Sequence, residues 1–141
     1  MVDNIILFGS TGMLGNYCLN ILQQSYNIIA ITRKYYDIMD NNYDKLFNII
    51  NSYNNSVIIN CAGSIPQRGI NNEMDCFITN SLFPKMLDKI AYQLKIKFIH
   101  ISTNCVFNYE NGNCNELVMP NETQSYGLSK IPSPSRSIIA K

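Results

Sequence analysis

Apolar positions along this chain follow two alternating spacings, one typical of buried strands and one typical of helices. Four short runs are apolar on both faces and predict strands: Asn4–Phe8, Asn27–Thr32, Ser56–Cys61 and Lys97–Ser102. Between them, apolar residues recur at helical spacing over 13–22, around 43–50 and from Glu73 to about Leu94. Pro84 predicts a kink or break inside the last of these helices, because proline cannot donate a backbone hydrogen bond.

Strands that are apolar on both faces and alternate with helices are typical of a parallel sheet covered on each side, with right-handed crossovers. The sequence therefore predicts an α/β fold, a Rossmann-type doubly wound parallel sheet, over residues 1–130. The tail over 131–141 changes to proline and serine, and we expect it to be extended or disordered. The length of 141 residues is that of one domain, which argues against a two-domain enzyme of the usual cofactor-plus-substrate kind.

Composition and charge narrow the class of protein further. Hydrophobic residues make up 46% of the chain and charged residues 15%, which favours a packed domain over a disordered one. The formal net charge of +1 lacks the basic excess that nucleic acid or an anionic membrane would attract, so we expect neither partner. The chain has five widely spaced cysteines and one histidine. This number and spacing argue against both a metal site and a disulfide scaffold. No run has the ~18 apolar residues of a membrane span, and we expect a cytoplasmic protein.

The segment GSTGMLG places three glycines between the first strand and the first helix. Glycine would serve a tight turn at Gly9, close approach of backbone to a pyrophosphate at Gly12, and close packing of helix on strand at Gly15. The N–H groups of the helix N-terminus also favour phosphate. The segment predicts dinucleotide binding, although a glycine-rich turn without a ligand would show the same pattern. The residues assigned to the pyrophosphate are Gly9, Ser10, Thr11, Gly12, Met13, Leu14 and Gly15.

After the second strand, Arg33 and Lys34 stand where a carboxylate would bind the ribose 2′-hydroxyl of NAD. A basic side chain at Arg33 would instead neutralise the 2′-phosphate of NADP. We therefore predict NADPH as the cofactor and leave NADH open. Two solvated basic residues on a loop explain the pattern about equally well.

Five segments occur in a characteristic order: GSTGMLG, YYDIMD, VIINCAG, NSLFPKMLDKIAYQLKIKFIHISTNCVF and NGNCNELVMPNETQSYGLSK. Together they resemble the extended short-chain dehydrogenase/reductases, and within them the dTDP-4-dehydrorhamnose reductase family. The resemblance runs from about Ile5 to Lys130 and includes a Tyr-x-x-x-Lys motif. It implies a reductase that transfers hydride from a nicotinamide cofactor to a 4-keto-6-deoxy sugar nucleotide, in the synthesis of deoxysugars such as rhamnose.

The resemblance assigns three catalytic residues. Tyr126 would give a proton to the oxygen that becomes negative as hydride arrives. Lys130, four residues on and on the same helix face, would stabilise the phenolate form of that tyrosine. Thr103 would hydrogen-bond the substrate carbonyl. The resemblance also assigns residues to the cofactor: Asp37 and Ile38 beside the adenine, Cys61, Ala62, Gly63 and Ser64 below the nicotinamide, and Tyr126 and Lys130 at the nicotinamide end.

Other polar residues have simpler interpretations. Asn80 matches a structural asparagine of many short-chain reductases, or is one more asparagine in an Asn-rich chain. His100 shares a strand face with Ser102, and we expect a core residue before a catalytic one. Cys61 and Cys105 are expected to pack as small apolar groups.

The chain departs from the family pattern in two places. Asn104 replaces an aspartate of the family, which removes any charge at that position. After Lys130 nothing matches, and Pro132 and Pro134 are expected to end the helix that carries Tyr126. The C-terminal substrate lobe of the family would then be missing. This predicts a truncated fold, inactive or incomplete as this chain.

The truncation has consequences for partners. The fourth strand would lose its usual neighbour, and its open edge would favour self-association or a complementing chain. A nucleotide sugar would be the substrate of the completed enzyme. The alternative function is a non-catalytic dinucleotide-binding regulatory subunit, similar to the β subunit of methionine adenosyltransferase.

Overall fold

A computed structural model describes residues 3–53, 55–65, 73–108, 112, 114–115 and 117–131, together with the backbone of 138–140. The expected effect of Pro132 and Pro134 lies outside these residues. Within the described part, no helix is long and apolar enough to cross a bilayer. The same residues contain no group of three or more His, Cys, Asp or Glu side chains arranged to hold a metal ion.

The described strands form one parallel sheet in the order β2-β1-β3-β4-β5. The strands are β1 (Asn4–Phe8), β2 (Asn27–Ile31), β3 (Ser56–Asn60), β4 (Lys97–Ile101) and β5 (Ile138–Ala140). The four predicted strands are confirmed, three of them one residue shorter at the C-terminal end. At Thr32, for example, the carbonyl leaves the sheet and accepts the N–H of Tyr35 at 2.9 Å, so a turn replaces the last ladder position.

Helices alternate with the strands, as the periodicity predicts. They are α1 (Met13–Leu22), α2 (Tyr43–Asn51), α3 (Glu73–Phe77), α4 (Phe83–Leu94) and α5 (Ser125–Lys130), with 3-10 turns at Ile38–Asp40 and Asn104–Val106. α2 begins where the Asn42 side chain accepts the N–H of Lys45 at 2.9 Å, which satisfies a donor that lacks an intrahelical partner. The α/β Rossmann-type class is confirmed.

The main hydrophobic core lies between the sheet and the helices α2 and α4. Ile6 of β1 lies opposite Ile29 of β2 and Ile58 of β3 in register, so their side chains share one face of the sheet. Phe83 packs edge-on against Phe8, with ring centroids 5.3 Å apart. This packing sets the carboxyl ends of the strands side by side, where open α/β sheets place their ligands.

A five-residue π-helical turn, Ile78–Leu82, joins α3 to α4. Pro84 lies in the first turn of α4, where its missing N–H costs no intrahelical hydrogen bond. The predicted break near Pro84 is therefore confirmed, and it takes the form of a π turn. The turn buries Thr79, Asn80 and Ser81, three polar residues inside an otherwise apolar helical pattern.

The edge of β4 is not open, contrary to the sequence-based expectation. β5 pairs with β4 in parallel, with Ile99 opposite Ile138 and Ile101 opposite Ala140. Its backbone supplies the hydrogen-bonding groups that an unpaired β4 would leave exposed. The expectation of self-association through an open edge of β4 is therefore not supported. The edge strands of the described sheet are β2 and β5.

Candidate active site at the carboxyl ends of the strands

The glycine turn connects β1 to α1 with very little free space. Gly9 has φ +78°, and a Cβ there would lie 2.5 Å from the Ala62 nitrogen. Gly15 packs so closely on the strand that a Cβ would overlap the Gly9 carbonyl. The turn at Gly9 and the helix-on-strand packing at Gly15 are thus confirmed as reasons for glycine.

Gly12 stands at the start of α1 with its outer side open. Its N–H donates to the Gly9 carbonyl at 3.0 Å, and a Cβ would meet only that carbonyl oxygen, at 3.4 Å. The first turn of α1 contains no acidic residue that would compete with a bound anion. Ser10 is buried, whereas Thr11, Met13 and Leu14 are exposed. A phosphate at this turn would meet backbone N–H groups and no carboxylate from the first turn of α1.

The loop after β2 carries the residues predicted beside the adenine. The Asp37 side chain accepts the N–H of Met39 at 3.0 Å and so caps the 3-10 turn that begins at Ile38. Arg33 lies at the surface, with its Nε 3.8 Å from Asp37 Oδ2. A pair this exposed contributes little to stability, so the guanidinium is free to bind another anion at small cost.

The loop after β3 is fixed by two asparagines. Asn60 Oδ1 accepts the N–H of Ala62 at 3.0 Å. Asn80 Oδ1 accepts the N–H of Ser64, and Asn80 Nδ2 donates to the Ser64 carbonyl, both at 2.9 Å. Gly63, between these two anchored residues, is exposed. The predicted nicotinamide loop is therefore held at both ends, and Asn80 is a structural residue.

The same π turn holds the short helix α5. Asn80 Nδ2 donates to Ser129 Oγ at 2.9 Å, and Ser81 Oγ donates to the Ser129 carbonyl. α5 has only six residues and would be marginal without such contacts. These contacts support the helix that carries Tyr126 and Lys130 from the rest of the fold.

The three predicted catalytic residues lie on two segments that contact each other: Thr103 caps the 3-10 turn after β4, and Tyr126 and Lys130 lie on α5. Thr103, two residues beyond β4, accepts the N–H of Cys105 on its Oγ1 at 3.2 Å, which leaves its own O–H to interact with the nearby Tyr126 phenol, whose pKa it lowers. Lys130 is buried, and its Nζ lies 3.3 Å from the position a Cβ of Gly63 would take. A proton donor and a cation thus lie at one end of β4.

The ionisation of this site is set by burial. Burial raises the pKa of the Tyr126 phenol above its usual value, and the neighbouring Cys105 adds to the rise, while the Thr103 hydrogen bond opposes it. Burial also lowers the pKa of Lys130. The raised pKa of Tyr126 is opposite to the direction that stabilisation of its phenolate by Lys130 would give. At neutral pH the phenol therefore keeps its proton.

His100 of β4 is buried, with Asn60 of β3 beside it and the charge of Lys130 nearby. Asn60 Oδ1 is already used by Ala62, so Asn60 Nδ2 faces His100 Nδ1, at 3.2 Å. The imidazole proton is then on Nε2. Burial, and after it the charge of Lys130, lowers the pKa of His100 to about 4. His100 is a neutral core residue, as expected.

Sequence reasoning missed part of the framework and misplaced one residue. Asn60, Ser81 and Ser129 were not singled out, although each is a polar residue at a position where the surrounding period predicts an apolar one. Cys105 was expected to be packed and is exposed, because the 3-10 turn after Thr103 directs it outward. Cys61 is half-buried, with its sulfur against Cys18.

The chain matches one protein family over almost its whole length. The family model described as the RmlD substrate binding domain matches residues 3–134. No curated protein sequence matches the chain.

Several solved structures share its fold. The dTDP-4-dehydrorhamnose reductase of Bacillus anthracis, solved in complex with NADP, superposes with a TM-score of 0.82 at 22% identity and covers 94% of this chain and 48% of its own. That of Yersinia enterocolitica has a TM-score of 0.79 at 26% identity and covers 92% and 46%. The UDP-rhamnose synthase of Acanthamoeba polyphaga mimivirus has a TM-score of 0.72 at 19% identity and covers 90% and 48%. The chain thus spans about half the length of these relatives.

Proposed function

The chain belongs to the RmlD substrate binding domain family, and from this premise we propose that it is the dinucleotide-binding half of a sugar-nucleotide reductase. Its cofactor is NADPH, and the reaction is the reduction of a 4-keto-6-deoxy sugar nucleotide of the dTDP-4-dehydrorhamnose type. The observation that carries the proposal is the position of α5, which places Lys130 beside Gly63 of the loop 61–64 and Tyr126 beside Thr103 at the end of β4.

The cofactor residues fit a dinucleotide. The turn from Gly9 to Gly15 leaves the outer side of Gly12 open at a helix N-terminus, where a pyrophosphate would accept backbone N–H groups. Arg33 would pair with a 2′-phosphate, which favours NADPH over NADH. Exposed Gly63, next to Lys130, leaves room for the nicotinamide end. When bound, NADPH supplies the hydride.

The residues of the chain supply the proton and hold the carbonyl. A carbonyl carbon that accepts hydride leaves negative charge on its oxygen, and one proton completes the alcohol. The Tyr126 phenol carries that proton at pH 7, since burial holds its pKa above the usual value. Thr103 orients the phenol, and its single O–H turns from the phenol oxygen to the substrate oxygen when the carbonyl is bound. Lys130, fixed beside Gly63, adds a positive charge to the site as negative charge develops.

Fluorescence titration and an oxidation assay test the proposal. We expect the purified chain to bind NADPH more tightly than NADH, and any fall in NADPH absorbance on addition of a dTDP- or UDP-linked 4-keto-6-deoxy sugar to depend on Tyr126. Tyr126→Phe should keep NADPH binding and lose at least about 100-fold in oxidation rate. Binding without oxidation would exclude a self-sufficient reductase and leave a reductase half that needs a completing segment or a non-catalytic regulatory module. Absence of binding would contradict both functions.

A further inference from the structure

Two of the five cysteines are brought together by the fold. Cys18 lies on α1 and Cys61 directly follows β3, and their sulfur atoms are 4.0 Å apart although the residues are 43 positions apart in the sequence. Both side chains are half-buried, so a small reagent in solvent can reach the pair. No step of the proposed reaction uses either sulfur.

We propose that Cys18 and Cys61 are a redox modification site that forms a reversible intramolecular disulfide. A disulfide has a sulfur–sulfur bond of about 2.05 Å, so the two sulfurs must approach by roughly 2 Å. Rotation about the side-chain bonds and a small shift of α1 against the end of β3 can supply that movement. In a reducing compartment such a bond is transient, as in redox-sensing proteins.

The two sulfurs have different parts in the oxidation. Burial, together with the nearby Cys18, raises the pKa of the Cys61 thiol to about 12, so Cys61 keeps its proton and is the weaker nucleophile. With hydrogen peroxide as the oxidant, the Cys18 sulfur attacks one peroxide oxygen, the O–O bond breaks, the other oxygen leaves as water and Cys18 becomes a sulfenic acid. The Cys61 sulfur then attacks the Cys18 sulfur and expels water. Two thiols lose two electrons and two protons, and one peroxide becomes two waters.

The disulfide would also affect the glycine turn, a consequence that rests on the proposed function. Besides its approach to Ala62, a Cβ on Gly9 would lie 2.7 Å from the Cys61 carbonyl carbon, and Gly15 of α1 packs on the other side of Gly9. The turn is thus held between the two segments that carry the sulfurs. The shift of α1 towards the end of β3 that accompanies the bond would displace this turn, and we expect NADPH affinity to fall at least about tenfold.

Mass spectrometry and thiol counting test the site itself. In a Cys105→Ser/Cys114→Ser background, which removes the other two cysteines that are not fully buried, one equivalent of peroxide should remove two free thiols per chain. The intact mass should fall by two hydrogen atoms and return with dithiothreitol. A cross-linked peptide should join residues 18 and 61, and Cys18→Ser or Cys61→Ser should abolish it. Retention of both thiols, or a Cys18 sulfinic acid without a cross-link, would overturn the proposal.

NADPH titration of the oxidised and reduced forms tests the consequence separately. A lower affinity only in the oxidised form, restored by dithiothreitol, supports the coupling to the turn. Equal affinities would overturn the coupling while the modification site stands. If the disulfide forms and neither form binds NADPH, the proposed function fails and the modification site is retained.

Discussion

Asn80 hydrogen-bonds both backbone polar groups of Ser64, accepting its N–H and donating to its carbonyl, each at 2.9 Å. The same side chain reaches Ser129 of α5. One buried amide therefore fixes the position of the loop after β3 relative to the helix that carries Tyr126 and Lys130. The alignment of the candidate cofactor loop with the candidate proton donor depends on this residue.

Asn80→Leu is expected to lower the free energy of unfolding by about 2–5 kcal/mol, because the buried Ser64 N–H and carbonyl lose their partner and the Ser129 hydroxyl loses one of its two. Urea denaturation followed by circular dichroism measures it. Asn20→Leu is the matched control, since Asn20 is exposed on α1 and hydrogen-bonds only Asn16 and Gln24 among the described contacts. Equal effects at both positions would contradict the role assigned to Asn80.

Two glycines of the first turn should respond differently to alanine. Gly15→Ala should cost about 1–3 kcal/mol or more of stability, because its Cβ would overlap the Gly9 carbonyl and force α1 away from β1. Gly12→Ala meets only one atom, at 3.4 Å, and should leave the fold intact while weakening NADPH binding. Thermal denaturation and fluorescence titration of the two variants separate packing from binding. Loss of stability in Gly12→Ala without loss of affinity would refute this assignment.

Most of the fold can be predicted from the sequence, because its strands are apolar on both faces and apolar residues recur at helical spacing in its long helices. β5 is the exception. Its three residues are too few for a periodic signal, and pairing with β4 determines their conformation. The hydrophobic periodicity does not predict the π turn either. The turn is stabilised by hydrogen bonds from Asn80 and Ser81 to residues that are distant in sequence.

The candidate site divides in the same way. The glycine turn and the Tyr-x-x-x-Lys spacing are local features. The need for glycine at Gly9 and Gly15 can therefore be predicted from the sequence. The partners of Asn60 and Ser129 come from other strands and helices, and no local pattern specifies them. The raised pKa of Tyr126 likewise depends on burial in the folded state, which the i, i+4 spacing to Lys130 does not reveal.

Arg33→Ala should reduce NADPH affinity about tenfold, because a surface cation facing the 2′-phosphate contributes on the order of 1.4 kcal/mol. NADH affinity should be unchanged, since NADH lacks that phosphate. Lys85→Ala, which removes an exposed charge from α4, controls for net charge. Fluorescence titrations with both cofactors give the ratio of the NADPH and NADH dissociation constants for each variant. An equal loss of NADH affinity would show that Arg33 does not bind the 2′-phosphate.

His100 should make the stability of the protein depend on pH. Its pKa is about 4 in the folded protein and near 6.5 unfolded, so between these values the unfolded chain binds more protons. The stabilisation is complete above about pH 6.5 and is lost as pH falls towards 4, by up to about 3 kcal/mol. Urea denaturation at pH 7.5 and pH 5.0 measures the loss.

The control for this pH dependence is His100→Gln, which keeps a polar side chain and removes the titration. His100 is the single histidine of the chain, so the difference between parent and variant isolates it from the carboxylates. Proton NMR of the imidazole gives the folded pKa directly. An imidazole that titrates near pH 6.5 in the folded protein would contradict a buried neutral ring.

The strand order also bears on how the sheet assembles during synthesis. β1 pairs with β2 and β3, and thereafter each new strand is added beside the one made just before it, β4 against β3 and β5 against β4. A nascent chain can therefore build the sheet outward from β1 as it leaves the ribosome, with no earlier pairing undone to admit a later strand. The helix bearing Tyr126 lies between β4 and β5 and is among the last elements to appear, so the glycine turn can form before the proton donor is made.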